Sequence, residues 1–293
     1  MFMHRIAESE LILTPEGRVY HLNLLPEELA PTVITVGDPA RVAKVSAYFD
    51  RIEYKTAHRE FIAHTGYIGK KRLTVVSSGI GPDNIDIVLN ELDALANIDF
   101  DTRTIKQEHH TLQIIRLGTS GSLQADIPAD SHVVASHGLG LDNLLHFYRH
   151  TPNEEEQILQ KAFADQMMLS GQPITPYIVA GSIHLLNKFT EQFYHGITAT
   201  APGFYAPQGR VLRAQPAFPE LVNQLARFGY MHHRVTNFEM ETSAIYGLGK
   251  LLGHQCLSVN TIIANRAAQT FSNNPDIAVE RMIQKALAII ETL

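Results

Sequence analysis

Apolar residues along this chain have the spacing of β-strands in some segments and the spacing of α-helices in others. The order of these segments predicts the order of the secondary-structure elements. Short apolar or alternating runs, typical of strands, occupy 32–36, 60–67, 73–77, the start of 113–122, 131–136, 144–148, 176–180, 197–201, 235–240 and 256–264. Helical spacing occurs after Pro82, with Asp83 or Asn84 as its cap, and at 41–49, 153–169, 182–193, 219–228, 242–252 and 277–293. Strands alternate with helices throughout, so the sequence predicts an α/β fold.

Nothing in this pattern divides the chain. No repeat, low-complexity tract or linker interrupts its 293 residues, so we predict a single domain over 1–293. Residues 1–20 precede the first motif and are interpreted as an amino-terminal extension. Residues 98–111 are polar and lack a clear period, which predicts a surface excursion before the next strand.

Charge and cysteine content limit the partners and the compartment. The net charge of -6 at pH 7 argues against nucleic acid or an anionic membrane as a partner. No apolar run is long enough to span a bilayer, and the amino terminus lacks the apolar core of a signal peptide. The single cysteine, Cys256, allows no internal disulfide. We therefore predict a cytoplasmic protein.

Histidine is abundant, but its spacing predicts no metal site. The 15 histidines include adjacent pairs at 109–110 and 232–233. Neither pair matches the helical HExxH motif or Cys/His ligand spacing. Solvated surface histidines are the simpler interpretation.

The stretch 113–122 carries the strongest indication of a ligand site. It begins as an apolar run and ends in glycine, serine and threonine, whose N–H and hydroxyl groups can face an anion. Arg116 adds a fork-shaped positive group just before these small residues. Open α/β sheets bind ligands at such strand exits. The alternative is a tight strand exit in which Arg116 belongs to a structural ion pair.

Three further arginines lie beside turn signals. Arg41 follows Gly37 near a predicted helix start, where N–H groups and the helix dipole favour an anion. Arg59 and Arg210 also stand next to turn residues. With Arg116 and the glycine-rich strand exits, they suggest a phosphate-sized ligand. Taken singly, each is more often a surface or ion-paired arginine.

Two other groups suggest a planar base and a sugar. Phe204 can stack on a base, while Gln208 and Arg210 can recognise a donor and acceptor edge. The two acids of 239–241, at a predicted strand-to-helix junction, can hold sugar hydroxyls. The alternatives are a loop that packs its aromatic residue on the core and acids that the dipole favours at a helix start.

Eight short motifs stand in a fixed order between residues 21 and 266. They are His21-Leu22-Asn23-Leu24, Gly37-Asp38-Pro39-Ala40-Arg41-Val42, His58-Arg59-Glu60-Phe61, Gly79-Ile80-Gly81, Ile115-Arg116-Leu117-Gly118-Thr119-Ser120-Gly121, Phe204-Tyr205 through Gln208-Gly209-Arg210, Asn237-Phe238-Glu239-Met240-Glu241 and Asn265-Arg266. In order and spacing they resemble the nucleoside phosphorylase family, and within it the enzymes that cleave uridine. The resemblance implies one α/β domain with a mixed central β-sheet flanked by helices.

The resemblance also implies a role for each matching position. The residues implied in phosphate binding are Gly37, Arg41, Arg59, Arg116 and Thr119. Those implied in ribose binding are His21, Thr119, Met240 and Glu241. Those implied in base binding are Phe204, Gln208 and Arg210, with Arg266 supporting them from behind. The groups expected to act in catalysis are Arg116, Gln208 and Arg210.

The implied reaction is the reversible cleavage of uridine by phosphate, giving uracil and ribose 1-phosphate. Phosphate is the co-substrate, and no cofactor or metal ion is expected. Purine-specific relatives carry a Ser-Asp pair where this chain has Asn265 and Arg266, which favours a pyrimidine. The alternatives are a purine or broad-specificity phosphorylase, a hydrolytic nucleosidase and a non-catalytic nucleoside sensor.

The resemblance further implies that two subunits share each site. Arg59 and His21 would reach into the site of the neighbouring subunit. The loop at 79–81 continues Pro-Asp-Asn, unlike the loop of hexameric bacterial enzymes, and its spacing is nearer to the dimeric animal type. We therefore expect a homo-oligomer with a dimer as its minimal unit.

Overall fold

The computed structural model describes residues 5–167 and 174–293. Its strands are β1 (Thr32–Val36), β2 (Arg51–His58), β3 (Phe61–Ile68), β4 (Lys71–Ser77), β5 (Ile98–Asp99), β6 (Thr104–Ile105), β7 (Gln113–Ser122), β8 (His132–Gly140), β9 (Tyr177–Ala180), β10 (Tyr194–Thr200), β11 (Gly229–Tyr230), β12 (His233–Glu239), β13 (Gln255–Asn265) and β14 (Thr270–Phe271). Its α-helices are α1 (Pro39–Ser46), α2 (Pro82–Asn97), α3 (Glu154–Gln166), α4 (Ile183–Leu186), α5 (Leu221–Arg227), α6 (Thr242–Leu251) and α7 (Pro275–Ile290). Within these described residues, no helix is long and apolar enough to cross a membrane.

Twelve of these strands form one mixed sheet. Its order is β11-β12-β10-β8-β13-β7-β1-β4-β3-β2, with β9 on β8 and β14 on β13. β1, β4, β7 and β13 run parallel to one another. β13 is antiparallel to β8, and β8 is parallel to β10. The predicted α/β class and the predicted mixed central sheet are therefore confirmed.

β7 is the strand on which the sheet closes. Its first half pairs with β1 as far as Arg116, and its last two residues pair with β12. Because β13 pairs along the whole of β7, the strands β7, β12, β10, β8 and β13 form a closed ring. Between the two pairings, residues 117–120 have no strand partner on the side away from β13. Backbone groups there can face a ligand.

Helices cover both faces of the sheet. α2 and α6 pack on one face, where Ile85, Leu89 and Ile245 are fully buried. α1 and α7 pack on the other, with Val42 and Ile283 fully buried. The apolar spacing that predicted these helices therefore supplies their buried faces.

Three predicted elements were wrong in type or extent. The predicted strand at 144–148 is a 3₁₀-helix over Leu144–Phe147, because the Asp142 carboxylate accepts the Leu144 N–H at 2.8 Å and turns the chain. The predicted helix at 182–193 is only α4, which Ser182 caps. The predicted helix at 153–169 ends at Gln166, and Leu169 lies outside the described residues.

Two further differences concern how elements begin and which ones were missed. Neither Asp83 nor Asn84 caps α2. Its first residue is Pro82 and its N-cap is Gly81, at a φ of +102°, a value that glycine adopts without strain. β2 was missed because its residues alternate between exposed and half-buried, which leaves no apolar period to detect.

The amino-terminal extension and the excursion at 98–111 are joined. The excursion contains the hairpin β5-β6, and Arg103 at its turn is buried. The Arg103 guanidinium donates to the carbonyls of Ile6, Ala7 and Leu11. This contact holds the extension against the body of the protein.

Candidate active site

A cavity of about 860 Å³ opens at the exits of β1, β4, β10 and β12 and along the second half of β7. Nine of the residues with predicted roles line it. They are Gly37, Arg41, Arg116, Thr119, Phe204, Gln208, Arg210, Met240 and Glu241. The fold thus brings together residues that lie up to 204 positions apart in the chain, from Gly37 to Glu241.

Arg116 lies in the cavity wall within a paired cluster. It is 5% exposed. Its Nη1 donates to Asn260 Oδ1 at 2.6 Å, while Nη2 donates to Glu241 and lies 3.3 Å from Glu239 Oε2. Burial opposes its charge, but the two carboxylates outweigh burial and raise the pKa of Arg116. Arg116 therefore combines both predicted interpretations, since it faces the cavity and belongs to a buried ion pair.

Gly118 makes room for the Arg116 guanidinium. Residues two apart on a strand share a face, so the guanidinium lies over position 118. A Cβ atom at Gly118 would stand 1.7 Å from Arg116 Nη1, a separation that no side chain can accept. The small residues at the end of β7 thus leave room for the Arg116 guanidinium, and they also lie along the open strand edge.

The two acids of 239–241 have different tasks. The Glu239 carboxylate accepts the N–H groups of Glu241 and Thr242 at 2.9 and 3.0 Å and so caps α6. Burial, together with the nearby Glu241 carboxylate, raises the pKa of Glu239, although Arg116 opposes this shift. Glu241 Oε1 instead accepts the Gly81 N–H at 2.9 Å. The interpretation as a helix-start acid therefore holds for Glu239, while both acids form ion pairs with Arg116 and only Glu241 accepts its hydrogen bond.

Arg41 lines the cavity without a carboxylate partner among the described residues, as does Arg210. Arg41 Nη1 donates to the Leu117 carbonyl at 3.2 Å, and Arg41 makes no ion pair with any residue in the described ranges. Burial, and then repulsion by Arg116, lowers the pKa of Arg41. A bound anion would compensate this charge.

A second wall of the cavity presents a flat polar edge. Gln208 is buried at the end of a 3₁₀-turn, and its Oε1 accepts Arg210 Nη1 at 2.7 Å. Arg210 also donates to the Phe204 carbonyl at 2.7 Å and lies 3.7 Å from the centre of the Phe204 ring. Within the part of the chain that the structure describes, no hydrogen bond uses the Gln208 amide nitrogen. An amide and a guanidinium are thus fixed side by side next to an aromatic ring.

Arg266 lies behind this turn and does not line the cavity. Its Nη1 and Nη2 donate to the carbonyls of Gln208 and Gly209 at 3.3 and 3.4 Å. Gly209 has a φ of +67°, which favours glycine. Arg266 therefore holds the backbone on which Gln208 and Arg210 stand.

His21 and Arg59, like Arg266, are predicted site residues that do not line the cavity of their own chain. His21 Nδ1 lies 2.7 Å from Glu91, which also accepts the His21 N–H. Arg59 is exposed and lies 5.5 Å from the centre of the Tyr20 ring. Neither side chain contributes to the site within a single chain.

The family model of the phosphorylase superfamily matches residues 31–292. The chain belongs to the phosphorylase superfamily. The match covers the whole sheet and every cavity residue named above. The predicted family is therefore confirmed, and with it an enzyme of the nucleoside phosphorylase, pentosyl-transferring type.

Relatives within the superfamily agree over nearly the full chain. A uridine phosphorylase from Thermococcus kodakarensis is 26% identical over 288 residues, covering 98% of this chain and 92% of its own. A nucleoside phosphorylase structure from Trypanosoma brucei, described as showing uridine phosphorylase activity, is 29% identical with a TM-score of 0.85, covering 97% and 99% of the two chains. A DeoD-type purine nucleoside phosphorylase from Bacillus cytotoxicus is 24% identical over 278 residues, covering 90% and 99%. The chain is most like the uridine phosphorylases of the superfamily.

Sequence reasoning missed some residues of this superfamily site. Asn260 is fully buried behind Arg116. It could have been found from the sequence, because an amide in a predicted buried strand needs hydrogen-bond partners. Ile80 and Phe271 line the cavity although they are 67% and 65% exposed. Ile80 belongs to the Gly79-Ile80-Gly81 motif but was given no role, and Phe271 lies outside the eight motifs. Their place at the opening depends on how the sheet closes.

Proposed function

We propose that this protein catalyses the reversible cleavage of uridine by phosphate to uracil and ribose 1-phosphate. The observation that carries the proposal is one cavity lined by three kinds of groups. Arg41 and Arg116 suit phosphate, and Glu241 suits the ribose hydroxyls. The pair Gln208 and Arg210 suits the carbonyl and N3 edge of uracil.

The charges of these groups match the charges of the reaction. Breaking the N-glycosidic bond leaves its electron pair on uracil and builds positive charge on the ribose ring. A phosphate oxygen then forms the new bond to the anomeric carbon. Arg41 and Arg116 would hold that phosphate in line, which turns an encounter into a positioned reaction. Arg210 and Gln208 would donate hydrogen bonds to the oxygen that becomes anionic.

The end of β13 favours a pyrimidine over a purine, because neither Asn265, its last residue, nor Arg266 after it is an acid. Asn265 is buried, and its Nδ2 donates to the carbonyls of Gln124 and Ile127 at 2.9 and 2.8 Å. Its Oδ1 accepts the Ala268 N–H at 2.7 Å. This amide is committed to backbone groups and has no acidic proton for a departing purine. A uracil anion leaves without protonation on nitrogen.

A purine substrate is the second candidate. A DeoD-type purine nucleoside phosphorylase is among the relatives at 24% identity, so the family match alone is compatible with either base. The Gln208–Arg210 pair is the specific feature that supports uracil.

A cleavage panel tests the proposed reaction. Purified protein is incubated with uridine, thymidine, cytidine or inosine, with and without phosphate, and the free base is measured. We expect phosphate-dependent release of uracil, with kcat/KM for uridine above that for inosine. Faster cleavage of inosine would establish the purine alternative. Equal cleavage in phosphate-free buffer would identify a nucleosidase, and binding of uridine without cleavage would identify a sensor.

The proposed active unit is a dimer in which each site borrows from the other subunit. Arg59 and His21 support this arrangement because neither lines the cavity of its own chain. Arg59 is exposed, and it has a left-handed φ of +54°, which is uncommon for a non-glycine residue. In the partner's site its guanidinium would add a further phosphate donor.

Complementation between two inactive variants tests the shared site. Arg59→Ala and Arg116→Ala chains are co-expressed with different tags, and the mixed dimer is purified through both. One of its two sites would hold an intact Arg116 and a partner's intact Arg59, so we expect about half of wild-type activity. Each homodimer serves as a control and should be nearly inactive. If Arg59 acted within its own chain, the mixed dimer would be as inactive as the homodimers.

A further inference from the structure

A second polar cluster lies away from the active-site cavity, where α3 begins. The Nε2 atoms of His137 and His233 lie 3.7 and 3.4 Å from the same oxygen, Glu155 Oε1. The three residues come from β8, β12 and α3. The centres of the two imidazole rings are 5.1 Å apart, and the rings are nearly perpendicular. Two imidazole nitrogens thus lie near one carboxylate oxygen.

His137 is the buried member of this cluster. It is 5% exposed, and its Nε2 has no hydrogen-bond partner among the described residues. Its Nδ1 lies 3.1 Å from Ser136 Oγ, and when Nδ1–H donates to that hydroxyl, Nε2 carries the lone pair. With its lone pair on Nε2, His137 has no proton there to donate to the Glu155 carboxylate, and a shared cation would satisfy both groups.

We propose that His137, His233 and Glu155 bind a divalent transition-metal ion, with Zn²⁺ as the first choice. Imidazole nitrogen and carboxylate oxygen are its usual ligands, at bonds of about 2.0–2.2 Å. In a tetrahedron with such bonds, neighbouring ligand atoms stand about 3.3–3.6 Å apart. The separations of 3.4 and 3.7 Å to Glu155 lie close to that spacing.

The site is accessible and needs only a side-chain rotation. Over residues 5–167 and 174–293, no group of three such side chains already meets the geometry of a metal site. The Glu155 side chain is 55% exposed and is free to close on the two rings. A small cavity of about 270 Å³ borders Glu155 and His233 and gives an entry path. His232 lines the same cavity, with its ring centre 3.9 Å from that of His233, beside the open fourth position.

The bound ion would connect the start of α3 to two strands of the sheet. Asn153 and Glu156 already form a capping box at this helix start, so Glu155 is presented from a fixed turn. An ion that binds the folded chain stabilises it by mass action. We therefore expect Zn²⁺ to raise the melting temperature. This effect is independent of the enzymatic reaction proposed above.

Metal titration of the whole, untagged chain tests this site. Chelator-treated protein at pH 8 is titrated with Zn²⁺ by calorimetry and with Co²⁺ by visible absorption. We expect one ion per chain and a tetrahedral Co²⁺ spectrum. Glu155→Gln and His233→Gln should each weaken binding at least about tenfold and abolish the rise in melting temperature. Both variants change residues at the surface of the cluster, and circular dichroism verifies their fold.

Two matched variants control for unspecific binding. Glu154→Gln changes the neighbouring acid of the same small cavity, and His110→Gln changes an exposed histidine elsewhere. Both should bind Zn²⁺ like the wild type. Weak binding of several ions that Glu155→Gln and His233→Gln leave unchanged would mean an adventitious ion only. Equal weakening by His110→Gln would also overturn the assignment.

Discussion

Arg116→Ala is expected to lower kcat/KM for uridine by at least about 10²-fold, because under the proposed function it removes a positioned donor to the phosphate. The same change leaves the buried Glu239 and Glu241 without their cation. Loss of one partner of a buried ion pair costs about 3–5 kcal/mol, so the free energy of unfolding should fall by a similar amount. Urea unfolding and steady-state kinetics measure the two effects separately.

A second arginine separates lost stability from lost catalysis. Arg18 also pairs with a buried carboxylate, Glu28, at 2.6 Å, but it does not line the cavity. Arg18→Ala should therefore destabilise the fold and leave kcat/KM near the wild-type value in the folded protein. Arg116→Lys keeps the charge without the fork geometry and should raise the KM for phosphate. An Arg116→Ala enzyme that keeps kcat/KM within tenfold of wild type would remove Arg116 from the proposed phosphate site.

Arg210→Ala is expected to lower kcat for uridine by about 10²–10³-fold, with little change in the KM for phosphate. The reason is that Arg210 would stabilise charge on the departing uracil, which develops only in the transition state. The change also releases Gln208 Oε1 from its 2.7 Å hydrogen bond and so loosens the other base contact. Initial rates with one substrate varied at fixed concentrations of the other give both constants.

Arg213 is the matched control for this variant. It lies three positions further along the same loop and is exposed, so Arg213→Ala should behave like the wild type. Arg266→Ala should give an intermediate loss, since it removes only the support of the turn. Equal losses in kcat and in phosphate affinity for Arg210→Ala would contradict a role at the base.

Local patterns sufficed for the parts of the site that follow a strand end. Gly37 and Arg41 follow β1, Arg116 and Thr119 stand on β7, and Glu241 follows β12. In each case apolar strand residues precede small or charged ones, and this change is visible in the sequence because it depends only on neighbours in the chain. The ends of β1 and β12 were therefore predicted close to their true places. The predicted exit from β7 after its apolar start was wrong, because residues 118–122 stay paired with β13 and β7 ends at Ser122.

Long-range partners could not be predicted in this way. Arg116 pairs with Glu241 and Asn260, which lie 125 and 144 positions away. Which of the two acids at 239 and 241 caps α6 is decided by the hydroxyl of Thr200 and by the course of the chain after β12. Such choices depend on which segments meet, and no periodicity records them.

The sequence by itself determined the α/β class, the superfamily and the identity of the charged and aromatic groups available to a site. The tertiary structure alone decided how those groups are used. In the folded chain, β7 pairs with β1 as far as Arg116 and with β12 at its last two residues. The strand edge between these two pairings is open beside the cavity. The fold neutralises Arg116 with buried acids while Arg41 keeps an uncompensated charge. The physical reason is that burial and charge pairing are properties of contacts distant in sequence, and these contacts exist only once the sheet has closed.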